Sequence, residues 1–190
     1  MSIPISPSFI DDYVKYFEEI AINHVEICHE SAHGKQAFFR MNVQEVFGAW
    51  RTAIREKSIA LIAVEYISQT KGITDQQVYS ARQGGFLVVG HHKKDATEQL
   101  AILAKTERIA HEIINRIVHH SKNGHPLFNC SISDWNNFNL EPRYNEPDGN
   151  YAGWFVTFNF MTAITTCVRQ SSWKDDLSED DHLKEDQICP

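Results

Sequence analysis

A chain of 190 residues with 42% hydrophobic side chains supports one folded domain with a substantial core, so a wholly disordered or fibrous protein is excluded. The net charge of −7 is unevenly placed: residues 174–190 carry seven acids and two lysines, which leaves −2 for the rest. A body so close to neutral lacks the basic face that displaces counterions from nucleic acid, and none is expected as a partner. Four widely spaced cysteines (Cys28, Cys130, Cys167, Cys189) with no CxxC pair suit reduced thiols in a cytoplasmic protein and not a disulfide framework. The N-terminus has no basic stretch followed by an apolar core, so no signal peptide is expected.

Ser8 can cap a first helix whose buried side is marked by Ile10, Val14, Phe17, Ile20, Ala21, Val25 and Cys28, with Gly34 as its stop. Phe38-Phe39 reads as a brief extended link. Asn42 and Glu45 form a second capping box, and Val43, Val46, Phe47, Trp50 and Ile54 follow at helical spacing. Residues 59–67 (IALIAVEYI) are β-rich and predict a central strand, with Lys71-Gly72 marking a loop. Residues 78–89 predict a second strand, bulged or bent at Gly84-Gly85. Asp95 with Glu98 caps the longest helix, whose stripe is Ala96, Leu100, Leu103, Ala110, Ile113, Ile114 and Ile117. Glu112 and Arg116 stand four residues apart on its polar side, Asn123-Gly124 ends it, and Pro126 prevents its return.

After this helix, 127–132 predicts a strand, and 134–150 is polar and aromatic with a turn at Glu146-Pro147-Asp148-Gly149. Residues 149–168 are uncharged over the length of a membrane span. Yet Trp154, Val156, Phe158 and Phe160 alternate with Phe155, Thr157 and Asn159, which predicts a half-buried strand and no membrane association. The strand and the segment before it predict a long antiparallel hairpin. The expected fold is therefore α+β: a mainly antiparallel sheet packed by a long helix, with two further N-terminal helices. It occupies 1–173 and is followed by a solvated, disordered acidic tail over 174–190.

One motif has a chemical reading. His29-Glu30-Ser31-Ala32-His33 is an HExxH, which on a helix aims two imidazoles at one metal ion and lets the Glu activate its water. Its position at a helix end, without a third ligand at close spacing, favours a polar helix terminus, and a metal-dependent hydrolase using His29, His33 and Glu30 is kept as an alternative. His24 with Cys28 is better read as boundary packing, and His91-His92-Lys93-Lys94 as a solvated turn without a glycine-rich phosphate cradle. His119-His120 is a favourable cation position at a helix end. No cofactor is expected. Trp135, Phe138, Tyr144 and Tyr151 surround the hairpin and form either an interaction surface or a cap on the core. A third reading places a small ligand in a cavity lined by Trp154, Phe158 and Phe160.

The order helix, helix, strand, strand, long helix, strand, strand, with GGFLVVGHHKK before the long helix and YAGWFVTFNF near the end, resembles small tail-terminator or tail-completion proteins of long-tailed phages and prophages. The resemblance spans 42–173; an extra N-terminal helix, the long loop after Asp134 and the acidic tail depart from it. It implies α+β subunits that assemble into rings and have no catalytic centre, so self-association or other assembly partners are expected, with the hairpin over 134–150 in the contact.

Overall fold

Strand β3 (Gln77–His91) is the centre of the molecule, because its apolar run FLVV can be buried on both faces. On one side it pairs antiparallel with β2 (Ile59–Thr74), which pairs parallel with the short β1 (Phe38–Met41). On the other side lies β5 (Tyr151–Ile164), followed by β4 (Phe138–Tyr144), both antiparallel, so the sheet order is β1-β2-β3-β5-β4. The computed structural model describes residues 9–30, 35–41, 58–74, 77–93, 95–128, 131–144 and 150–164. The expected α+β architecture is present. The helix anticipated from Asn42, the turn at 146–149 and the acidic tail lie outside the described residues.

Among the described residues, two helices cover one face. α1 (Phe9–Asn23) buries Tyr13, Tyr16, Phe17, Ile20 and Ala21, and α2 (Ala96–Lys122) buries Leu103, Ile109, Ala110, Ile113, Ile114 and Ile117. Beneath them lie Ile59, Leu61, Ala63, Phe86, Val88, Val156, Phe158 and Phe160, the inward positions of three neighbouring strands. The opposite face holds a smaller cluster of Ala60, Ile62, Leu87, Val89, Tyr151 and Phe39, with Phe155 beside it. Phe158 shows how densely the first face is filled: its ring lies 5.4 Å from Phe138, 5.5 Å from Phe160 and 6.3 Å from Phe128. The surface anticipated as a ligand cavity is therefore, at Phe158, a packed aromatic core.

Several boundaries differ from the sequence reading. α1 stops at Asn23, and a turn over 24–28 follows, in which Cys28 has a positive φ of 49°. The expected apolar positions Val25 and Cys28 are thus off the helix, and Val25 is exposed. Lys71-Gly72 is no loop, since β2 continues through Thr74. Leu127 and Phe128 belong to a turn instead of a strand, although both are buried with Ile132. In α2 the cap is Asp95 as expected, but it takes the N–H of Thr97, while Glu98 reaches back to Lys93 N–H. Ala96 and Leu100 are exposed; the buried stripe starts at Leu103. Glu112 bonds Arg108, one turn earlier, and not Arg116. Asn123 ends the helix, with Gly124 in the left-handed region at φ +76°.

The irregularity expected at Gly84-Gly85 falls on the partner strand. β2 slips register between Val64 and Ile67, opposite Gly85 and Gln83. At this point the Tyr13 hydroxyl donates to Gly85 C=O at 3.0 Å and accepts from Gly85 N–H at 2.9 Å. Helix α1 is thereby bonded to the central strand where the ladder is broken, from a side chain only 1% exposed.

Tyr13→Phe removes the hydroxyl bonded to both Gly85 groups and is expected to cost about 2–4 kcal/mol in urea unfolding. Gly153→Ala places a methyl 2.0 Å from Val88 O and 2.8 Å from Val89 Cα, both backbone atoms that cannot swing aside. A loss of about 3 kcal/mol or more, or failure to accumulate as folded protein, is expected.

Candidate functional site

The long strands run beyond the region the helices cover, and there the sheet forms an open groove of about 540 Å³. Pairing of Ile67 with Gln83, Gln83 with Asn159, and Ala81 with Met161 places these five residues on one face, continuous with the smaller cluster. The register slip on β2 is what keeps Ile67 on this face, since one residue more or less would turn it over. Ile67 and Met161 are 59% and 42% exposed, so the groove has apolar walls open to solvent.

Its outer wall is an incomplete sheet edge. Phe138 is the first residue of β4 and pairs with Phe158. Among the described residues, no strand lies beside 159–164 on that side. Two side chains stand in for the missing neighbour: Ser131 Oγ accepts from Met161 N–H at 2.9 Å, and Asn137 Nδ2 donates to Asn159 C=O at 3.5 Å. Asn137 is held there by the short 3₁₀ turn Trp135–Asn137, whose cap, Asp134, takes the N–H of Asn136 at 2.9 Å. The Arg82 guanidinium lies over the Phe9 ring, 3.4 Å from its centroid, and Phe9 stacks on Phe160. The groove thus offers amides, a hydroxyl and apolar walls, with no carboxylate, imidazole or thiol among its described lining residues. Such a lining can bind a polypeptide backbone and its side chains.

The residues of the HExxH motif occupy a different part of the molecule. His29 follows the turn that ends α1, is buried, and accepts the N–H of Ala37 through Nδ1 at 3.2 Å. Its Nε2 faces Glu18 at 3.8 Å. Glu30 is exposed and bridges to Lys35 through the backbone, and His33 lies outside the described residues. Because α1 ends at Asn23, no helix here holds positions 29 and 33 on one face. The turn before His29 is fixed to α2 instead: His24 Nε2 lies 3.0 Å from Glu112, and Arg108 bridges Glu26 and Glu112. The Arg108 hydrogen bond holds the Glu26 carboxyl below its usual range. Among the described residues, no three histidine, cysteine or acidic side chains cluster as metal ligands would.

The four hairpin aromatics separate into two kinds. Phe138 packs against the core and Tyr151 is buried in the smaller cluster, edge-on to His91 at 5.2 Å. Trp135 is 41% exposed, donates to Asn115 at 3.1 Å and stands edge-on to His111, two residues from the groove's Asn137. Tyr144 is 54% exposed at the opposite end of β4. The groove itself was not singled out by sequence. Its visible signal was the polar-apolar alternation of Thr157, Asn159 and Met161, which does not by itself distinguish a solvated face from a recessed one.

No protein-family model matches the chain, and a search of curated proteins found no match. No helix among the described residues is long and apolar enough to cross a membrane.

Replacing His29 by Ala removes the acceptor for the buried Ala37 N–H. A loss of about 1–3 kcal/mol in urea unfolding is expected. Elemental analysis of the purified protein should show the same metal content in the variant and the parent.

Proposed function

We propose that the protein is a non-enzymatic assembly subunit that joins further copies of itself through the groove and the outer edge of β5. What carries this reading is the half-covered strand: among the described residues, 159–164 have β3 on one side and the Ser131 and Asn137 side chains on the other. A strand from a neighbouring copy can take the place of those two contacts, while its alternate side chains enter the groove between Ile67 and Met161. The exposed Trp135 extends this surface along the hairpin. Pro142 in β4, an edge strand in this sheet, blunts that edge and directs association to β5.

Joining one copy's β5 edge to a different surface of the next is a head-to-tail contact, which closes into a ring when the rotation per subunit divides a full turn. A ring subunit of the tail-terminator kind is the specific form we propose. The amide and hydroxyl lining of the groove suits backbone recognition and supports binding over catalysis.

Sedimentation and native mass measurements over a range of protein concentrations test the proposal. The parent is expected to associate as concentration rises. The double variant Ile67→Asp, Met161→Asp should remain a monomer with a melting temperature close to the parent's, because both positions are exposed. A parent that is monomeric at every concentration overturns the reading.

A further inference from the structure

Where α1 and the turn at 125–128 meet the end of α2, two imidazoles stand against one buried phenol and a third lies beside them. The Tyr16 hydroxyl lies 3.1 Å from His120 Nδ1, and the Tyr16 ring stands edge-on to His120 at 5.7 Å, His125 at 5.1 Å and Phe128 at 5.1 Å. His120 and His125 are stacked nearly parallel, at 11° and 5.6 Å, with His119 at 6.0 Å from His120.

Each of these rings faces a donor. Burial pushes the Tyr16 phenol upward, so it keeps its proton and donates, which makes His120 Nδ1 an acceptor. Leu127 N–H points at His125 Nδ1 at 3.3 Å, and the Asn123 amide nitrogen points at His119 Nε2 at 3.0 Å. A backbone N–H cannot turn round, so a proton on His125 Nδ1 would meet another donor. We propose that Tyr16, His120 and His125 form an acid-sensitive latch that clamps α1 and the 125–128 turn to the end of α2 while His120 is neutral and loosens when His120 is protonated.

The charges around the latch have been placed on both sides of it. From α2 come Arg116 and His119, and from the turn His125, all of which oppose a cation on His120. From α1, Glu19 and Asp12 border the neighbouring groove of about 360 Å³, and Lys15 lies between them in sequence. A helix C-terminus favours a cation, but the carbonyls of His119, His120 and Ser121 already accept backbone N–H groups, which weakens that attraction. The balance is against protonation: burial first, then Arg116, His125 and His119, hold His120 below its ordinary 6.5. Linkage gives the sign. A group with a lowered pKa contributes stability that is complete above its unfolded value and is lost as pH falls below it, so the latch weakens from about pH 6.5 downward.

Hydrogen exchange of the full chain, corrected for intrinsic rates, tests this between pH 7.5 and pH 5. Protection in α1 and at 127–128 is expected to stay level down to about pH 6.5 and then to fall, by at most about tenfold per pH unit for one proton, beyond any change in 151–158 of β5. In His120→Gln, His125→Gln, where amides replace both rings, the acid-dependent loss should disappear. Histidine resonances followed by NMR in the parent supply a second readout that requires no variant: His120 should titrate below 6.5 and move upward in Tyr16→Phe. Equal loss of protection in parent and double variant, or His120 titrating at or above 6.5 in the parent, overturns the latch.

Discussion

A single phenol, that of Tyr13, joins the helical layer to the sheet at the one place where the ladder between β2 and β3 is interrupted next to the core. Its hydroxyl serves both backbone groups of Gly85, and its ring lies 5.0 Å from Phe17 and 6.4 Å from Phe160. A break in a buried ladder is costly because the exposed amides have no water to turn to. Tyr13 removes that cost and fixes the position of α1 in the same contact. Much else follows from this placement. Phe17 and Ile20 enter the core one and two turns later, Tyr16 is presented to the end of α2, and Phe9 is carried to Arg82 and Phe160 beside the groove.

The groove and the histidine cluster therefore share one element. α1 supplies Phe9 at its first residue and Tyr16 two turns later, on two adjacent surfaces of the molecule. The two surfaces differ in chemistry. One holds amides, a hydroxyl and apolar walls, and the other concentrates imidazoles about a phenol. Among the described residues, no three histidine, cysteine or acidic side chains on either surface cluster as metal ligands would.

The sequence made the core elements legible wherever one periodicity dominated. The period-2 alternation at Trp154, Val156, Phe158 and Phe160 located β5 and its inward face, and the 3.6 period from Leu103 to Ile117 located the buried side of α2. It was least legible where local chemistry and tertiary packing disagreed. Val25 and Leu100 are apolar at positions that the periodicity places on a stripe, yet both are exposed. Lys71-Gly72 carries turn chemistry but is overridden by pairing with Tyr79 and Val78. The HExxH match failed as a helical pattern for the same reason: His24 and Glu26 are held by Glu112 and Arg108 from 80 or more positions away, which ends α1 early. The groove was illegible because it is defined by where β4 stops, a property of strand pairing that no local pattern encodes.

The position of β3 has a consequence for how the chain reaches this structure. Its first neighbour, β2, is the strand immediately before it, whereas its second, β5, is separated from it by α2, the turn at 125–128 and β4. Closing so long an intervening segment is slow relative to closing a hairpin. During synthesis the β2–β3 hairpin emerges with an open, valine-rich flank well before the ribosome has made the strand that covers it. Until then the open flank of β3 is an unpaired edge of the kind that aggregates or is captured by chaperones.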